Sequence, residues 1–298
     1  MIRKIVLLCC LTVSLVIYTQ DYKLVWEDNF DGPALDDSKW NVVENGKGGG
    51  NRELQYYLRR NINIDREPVS GESCLVITAK KERFRFKKAT SGRLNTNGKL
   101  DFRYGKVEAK IKLPKTANGL WPAFWMLGSD HKKVGWPKCG EVDILEMGNV
   151  NGIKENIQDR FFNGACHWGE AFNHGKYPNY SKASVNSYSL QDGFHLFTMV
   201  WDDQYIKMYL DLDKYPENKP YFEMPIQGKN ELNDPARYFH KPFFLILNLA
   251  VGGNFPETRK IKDITALESG EAKMYVDYVR LYQKSGEKDL LSVNNQEK

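Results

Sequence analysis

Glu141, Asp143 and Glu146 fall within one short run, Gly140-Glu141-Val142-Asp143-Ile144-Leu145-Glu146-Met147-Gly148. On a helix, at about 100° per residue, these three carboxylates would spread around the circumference. On a strand, Glu141 and Asp143 share a face, because side chains alternate with period two. Glu146 lies an odd number of places from Glu141 and would point away. One β-bulge, two residues set against one of the neighbouring strand, returns it to the same face. The expectation is therefore a bulged strand with three acids on one side and Val142, Ile144 and Met147 on the other. Four regular steps of about 3.3 Å span roughly 13 Å between Cα atoms, and two Glu side chains reaching inward can close that to about 5–5.5 Å between carboxyls. At that separation one carboxylate attacks an anomeric carbon while the other protonates the leaving oxygen. Asp143, between them, can hold or share a proton with either.

A bare Glu-x-Asp pattern is more often an ordinary half-exposed strand with its acids in water. The surroundings argue otherwise here. Upstream runs Gly119-Leu120-Trp121-Pro122-Ala123-Phe124-Trp125-Met126-Leu127-Gly128, and Trp136 precedes the acids by five places. On a strand Trp121 and Trp125 face one side. Tryptophan rings stack on pyranose faces, so rings beside paired carboxylates suit a sugar cleft. Trp121 or Trp125 could equally be core residues, and burial separates the two roles.

The elements that would hold these residues are strands. Tyr104 to Pro114 alternates polar and apolar over nine positions, the mark of a half-buried strand. Phe194 to Trp201 and Tyr205 to Leu210 flank Asp202-Asp203-Gln204 as a hairpin. Phe243 to Val251 is a near-continuous apolar run entering Gly252-Gly253. Arg83-Phe84-Arg85-Phe86-Lys87-Lys88 reads as an edge strand defended by charge rather than as a polyanion site. No stretch shows sustained helical periodicity, and strands recur from 22 to 283, which gives an all-β sandwich.

The Trp121–Trp125 block followed by Glu-Val-Asp-Ile-Leu-Glu closely resembles glycoside hydrolase family 16, in its laminarinase-like branch. The longer acid motif is similar to that branch's bulged signature, where the lichenase branch carries a shorter, unbulged form. Further segments resemble the family along nearly the whole chain. They include Asn51-Arg52-Glu53-Leu54-Gln55-Tyr56-Tyr57, Gly164-Ala165-Cys166-His167-Trp168-Gly169 and Asn248-Leu249-Ala250-Val251-Gly252-Gly253. The resemblance implies a β-jelly roll with a concave substrate groove. It implies a retaining endo-glucanase acting on β-1,3-glucan or mixed-linkage β-1,3/1,4-glucan. Glu141 would be nucleophile, Glu146 general acid/base and Asp143 the assisting carboxylate. Asn51 and His167 would join Trp121, Trp125 and Trp136 in holding sugar. No cofactor is implied for catalysis. Relatives bind a structural calcium through an acid on the opening strand and an aspartate matching Asp277; this chain has Asn29 in place of the acid, which removes a charge from the site. The galactan hydrolases, agarases and carrageenases, share the bulged motif and form the nearest enzyme alternative. A non-catalytic glycan-binding protein on the same sandwich is the other.

The remaining features set the context. The 298 residues carry 43 Lys and Arg against 38 Asp and Glu, a net charge too mild and dispersed to argue for nucleic acid. Residues 1–20 read as a secretory signal with Arg3 and Lys4 before an apolar run too short for a comfortable membrane span. That places the protein outside the cytoplasm, secreted, periplasmic or at the cell surface; a lipid anchor at Cys9 or Cys10 fits less well, because most of the apolar run follows them. The catalytic domain is set at 21–284 and a polar tail at 285–298, with a monomer expected. Cys74 lies in an apolar strand and reads as core, while Cys139 and Cys166 flank cleft strands and could form a bridge. Linkage choice would rest on Gly152–Asp159 and Ala171–Ser187.

Overall fold

Alternation decides the architecture. In Gly105–Lys112 the residues Val107, Ala109 and Ile111 are fully buried, and in Ser73–Lys80 the apolar Leu75, Ile77 and Ala79 are likewise inside. Phe197 and Met199 of His195–Trp201 continue the same layer. The computed structural model describes residues 22–170, 176–284 and 291–292. The signal and lipid-anchor readings at 1–20 lie outside the described residues, as do 171–175 of the proposed specificity segment.

Two sheets carry nearly all the regular structure. One runs in the order Phe222–Pro225, Tyr205–Leu210, His195–Trp201, Gly105–Lys112, Glu271–Lys284, Ser73–Lys80, Ala89–Ser91, Gln55–Tyr57. The other runs Asn179–Val185, Phe161–His167, Glu141–Met147, Leu120–Gly128, Phe243–Val251, Arg93–Asn95, Asn41–Val42. Leu291–Ser292 also pairs into this second sheet, against Asp101–Phe102. The inner faces meet in one apolar core, with Phe124, Met126, Val142, Leu145, Leu245 and Leu247 supplied by the second sheet, as in an aligned sandwich. This is the expected β-jelly roll. The expected hairpin forms too, Trp201 pairing with Ile206 around a turn in which Asp202 Oδ1 accepts from the amides of Gln204 and Tyr205. Among the described residues no helix is long and apolar enough to cross a membrane.

Two expectations change. Arg83–Lys88 is not an edge strand: regular pairing begins only at Ala89, and Phe84 and Lys87 form an isolated bridge around Arg85 at φ 51°. Arg85 lies over the rings of Tyr56 and Phe84, and Lys87 Nζ donates to the carbonyl of Glu53 at 2.6 Å. The basic stretch thus props the rim loop rather than guarding an edge. The second change is at the cysteines. Cys74 is core as expected, but Cys139 and Cys166 are also buried free thiols, with no bridge between them. Cys166 faces inward, paired in register with Val142, while Cys139 ends the turn two residues before Glu141.

Candidate active site

The acid strand is fixed at its ends and displaced in its middle. A side chain on Gly148, whose φ is 98°, would place its Cβ 1.9 Å from the Leu120 carbonyl oxygen, so only glycine lets the strand leave the sheet there. Inside it, Leu127 pairs with Glu141 and Trp125 with Asp143, yet Phe124 pairs with Leu145 and Ala123 with Glu146. The other neighbour reports the same slip, with Asp143 opposite Ala165 and Glu146 opposite Asn163. Three steps on the acid strand thus match two on each side, which is one inserted residue. Val142, Ile144, Leu145 and Met147 are all buried in the core, and Tyr221 OH donates to the Ile144 carbonyl at the bulge. The three acids are left together on the groove face, where all line one cavity of about 990 Å³.

Each acid has its own partners. Trp121 Nε1 donates to Glu146 Oε1 at 3.0 Å. His167 Nε2 lies 3.3 Å from Asp143 Oδ2. Trp136 hydrogen-bonds Glu141. Burial, the largest cause, raises all three carboxyls above the ordinary range. Glu141 is pushed up to about 8, with Asp143 adding to the rise and His167, Arg93 and Trp136 opposing it. Glu146 is raised well above its ordinary value, and the charges of Asp143 and Glu141 both add to the effect of burial. Water reaches Glu141 and Glu146 from the open side, since only Asp143 is nearly sealed, at 4% exposure. Glu146 is repelled by two neighbouring carboxylates and Glu141 by one, so negative charge is easier to keep on Glu141 than on Glu146.

The residues expected to hold sugar do converge on this groove: Asn51, Trp121, Trp125, Trp136 and His167 all line it. Trp121 and Trp125 are half-buried at the groove wall rather than in the core. One face of each ring is already covered, Trp121 by Phe255 at 4.8 Å and Trp125 by the Arg93 guanidinium at 4.7 Å. Trp125 Nε1 also donates to Asn248 Oδ1 at 2.7 Å. Trp136 is 42% exposed and stands edge-on to Tyr177, making it the ring most open to a sugar face.

Sequence reasoning missed Arg93, Asn163, Tyr177, Asn248 and Phe255, all of which line the groove. Two carried a usable signal. Counting back from His167 by twos names Ala165 and Asn163 on the same face, and Asn248 is the single polar residue of an otherwise apolar strand. Asn163 sits opposite Glu146 with its Oδ1 buried and without a partner, an acceptor that a bound hydroxyl would satisfy. Tyr177 and Phe255 come from loops and left no pattern to read.

Among the described residues, Glu141, Asp143 and His167 offer ligand atoms within 4.8 Å of one another, a set able to hold a divalent cation only by occupying the acids themselves. The calcium reading fits less well. Asn29 Oδ1 already accepts from Arg280 Nη2 at 3.0 Å, and the same guanidinium pairs with Glu27 at 3.2 Å. Arg280 also lowers the pKa of Asp277, against a net rise caused chiefly by burial. A fixed positive charge on the expected oxygen ligand does not fit a calcium ion there.

A model for "Glycosyl hydrolases family 16" matches residues 60–227. The chain is 34% identical over 287 residues to the clotting factor G alpha subunit of Tachypleus tridentatus, covering 94% of this chain but only 37% of that longer protein. It is 34% identical to a beta-glucanase of Rhodothermus marinus, covering 88% of this chain and 85% of the relative. Among solved structures, a Bacteroides ovatus mixed linkage glucan protein in complex with a G4G4G3G product superposes with a TM-score of 0.74 at 33% identity, over 86% of this chain and 99% of the other.

Proposed function

From the premise that this chain belongs to glycosyl hydrolase family 16, we propose that it is an exported endo-β-glucanase. It cleaves β-1,3-glucan or mixed-linkage β-1,3/1,4-glucan with retention of configuration. The observation that carries this reading is the bulge, which sets Glu141, Asp143 and Glu146 side by side on the floor of one groove. The relatives' names favour glucan, and the apolar leader at 1–20 supports export.

The chemistry is a double displacement. Glu141 attacks the anomeric carbon as the glycosidic C–O bond breaks, and Glu146 gives its proton to the departing oxygen. The resulting glycosyl ester on Glu141 is then opened by water, from which Glu146 takes a proton back. Asp143, held by His167, lies between the two and adds to the rise of Glu146. Trp121 orients Glu146 by donating to one oxygen, which leaves the other to carry the proton. Reducing-sugar release from laminarin, barley β-glucan, agarose and carrageenan, assayed in parallel, tests the substrate class. Release from the first two is expected; release only from the galactans would overturn it.

The electrostatic order also sets a pH profile. Activity needs Glu141 ionised and Glu146 protonated. Because Glu141 is raised, the acid limb of kcat/KM should lie above the ordinary glutamate range; because Glu146 is raised further, the basic limb should lie higher still. His167 opposes the rise at Glu141. His167→Gln should therefore move the acid limb to higher pH. An acid limb unmoved in that variant would count against the assignment of Glu141 as the group that must ionise.

A further inference from the structure

The groove continues past the acids. Beyond Arg93 the same sheet carries a recess of about 550 Å³, lined in part by Asn41, Asn45, Lys47, Asn95, His131 and Lys132. It shares Gly49, Gly50, Arg93 and Leu127 with the main groove, so one chain could run through both. The two ends differ in charge. Glu53, Glu141, Asp143, Glu146 and Glu257 line the first, whereas no carboxylate lines the second among the described residues.

The recess also favours donors. Asn95 Oδ1 accepts from Asn41 Nδ2 at 3.3 Å and from the Asn97 amide at 3.1 Å. Asn45 Oδ1 accepts from the Lys47 amide at 3.0 Å. With those carbonyl oxygens engaged inside the protein, the amide NH2 groups of Asn45 and Asn95 are left to offer hydrogen to a ligand. Lys47 and Lys132 are exposed at the same recess; Asp130 and Asp101 act on the neighbouring His131, but neither carboxylate lines the recess itself.

Resting on the glucanase reading above, we propose that this recess binds an anionic group, a carboxylate or a sulfate ester, carried by the glucan chain at a distance from the cut. Three strands separate Glu141–Met147 from Asn41–Val42, which puts the far wall of the recess about 19 Å from the acids at about 4.8 Å per strand. The same group near the cut would meet the Glu141–Asp143–Glu146 cluster and be repelled. A sparsely charged glucan is thereby held in one register, with its charge at the basic end and a neutral linkage over the acids.

The test compares laminarin with its partly carboxymethylated and partly sulfated derivatives, using the full chain and its Lys47→Gln/Lys132→Gln variant. At low salt the variant should lose about ten-fold in kcat/KM on either derivative, with laminarin changed less than two-fold. Raising ionic strength should erase the difference. Products of the derivatives should carry their charge away from the newly formed ends. Loss on only one derivative narrows the anion to that chemistry. Equal losses on charged and neutral substrate, or no loss on either derivative, would overturn the proposal. Absence of cleavage of laminarin and barley glucan alike would instead sink the glucanase reading on which it rests.

Discussion

Glu141→Gln is expected to lower kcat by roughly five to six orders of magnitude, the scale seen when a covalent nucleophile is removed, while glucan binding stays within a few-fold. The amide keeps the shape and the Trp136 contact region but cannot form the ester. Binding should survive because the ring and amide contacts of the groove come from other strands and loops. Calorimetry with a laminarin oligosaccharide, set beside single-turnover hydrolysis, reads both quantities. A Glu141→Gly variant supplied with azide should yield the α-glycosyl azide, because the small anion takes the nucleophile's place and inverts the centre once. Wild-type-like turnover in either variant would remove Glu141 from its assigned role.

The second large effect concerns Glu146. On a polysaccharide, Glu146→Gln should cost about 10² to 10⁴ in kcat, the range of general acid catalysis. With an activated aryl β-glycoside the pattern changes, since that leaving group scarcely needs a proton. The glycosyl-enzyme should form quickly and break down slowly, visible as a burst of phenol followed by a slow phase. Azide should then restore turnover and give the β-glycosyl azide, because the anion attacks without a general base and the two inversions cancel. An α product from this variant would mean single displacement, and both glutamate assignments would fall together.

The sheet and the acids were legible for one reason: alternation is a local code. Glu141, Asp143, Val142 and Met147 could be assigned to faces by counting, and the odd spacing of Glu146 demanded an inserted residue, which the registers on both sides contain. The same counting placed Trp121 and Trp125 on one face. It could not say what would cover them, because Phe255 and Arg93 arrive from distant segments. Arg83–Lys88 misled for a related cause. Its alternating basic and aromatic residues look like a strand, but Arg85 takes positive φ and the run turns back on itself to hold the rim at Glu53. Whether Cys139 and Cys166 pair stayed open in the sequence, because adjacency to the cleft says nothing about which layer a thiol faces; both are buried free thiols.

The bulge has a consequence for how this site can change over generations. Strand length is normally untouchable near a site, since losing one residue turns everything beyond it inside out. Between Asp143 and Glu146 the chain already carries an odd residue. Deleting Ile144 would leave Glu-Val-Asp-Leu-Glu in strict alternation, with all three acids still facing the groove. Deleting Val142 would instead turn Glu141 away from Asp143. The region is therefore tolerant of shortening at one place and intolerant two residues away. A one-codon deletion at Ile144 thus preserves the shared face of the three acids, and the same deletion at Val142 destroys it.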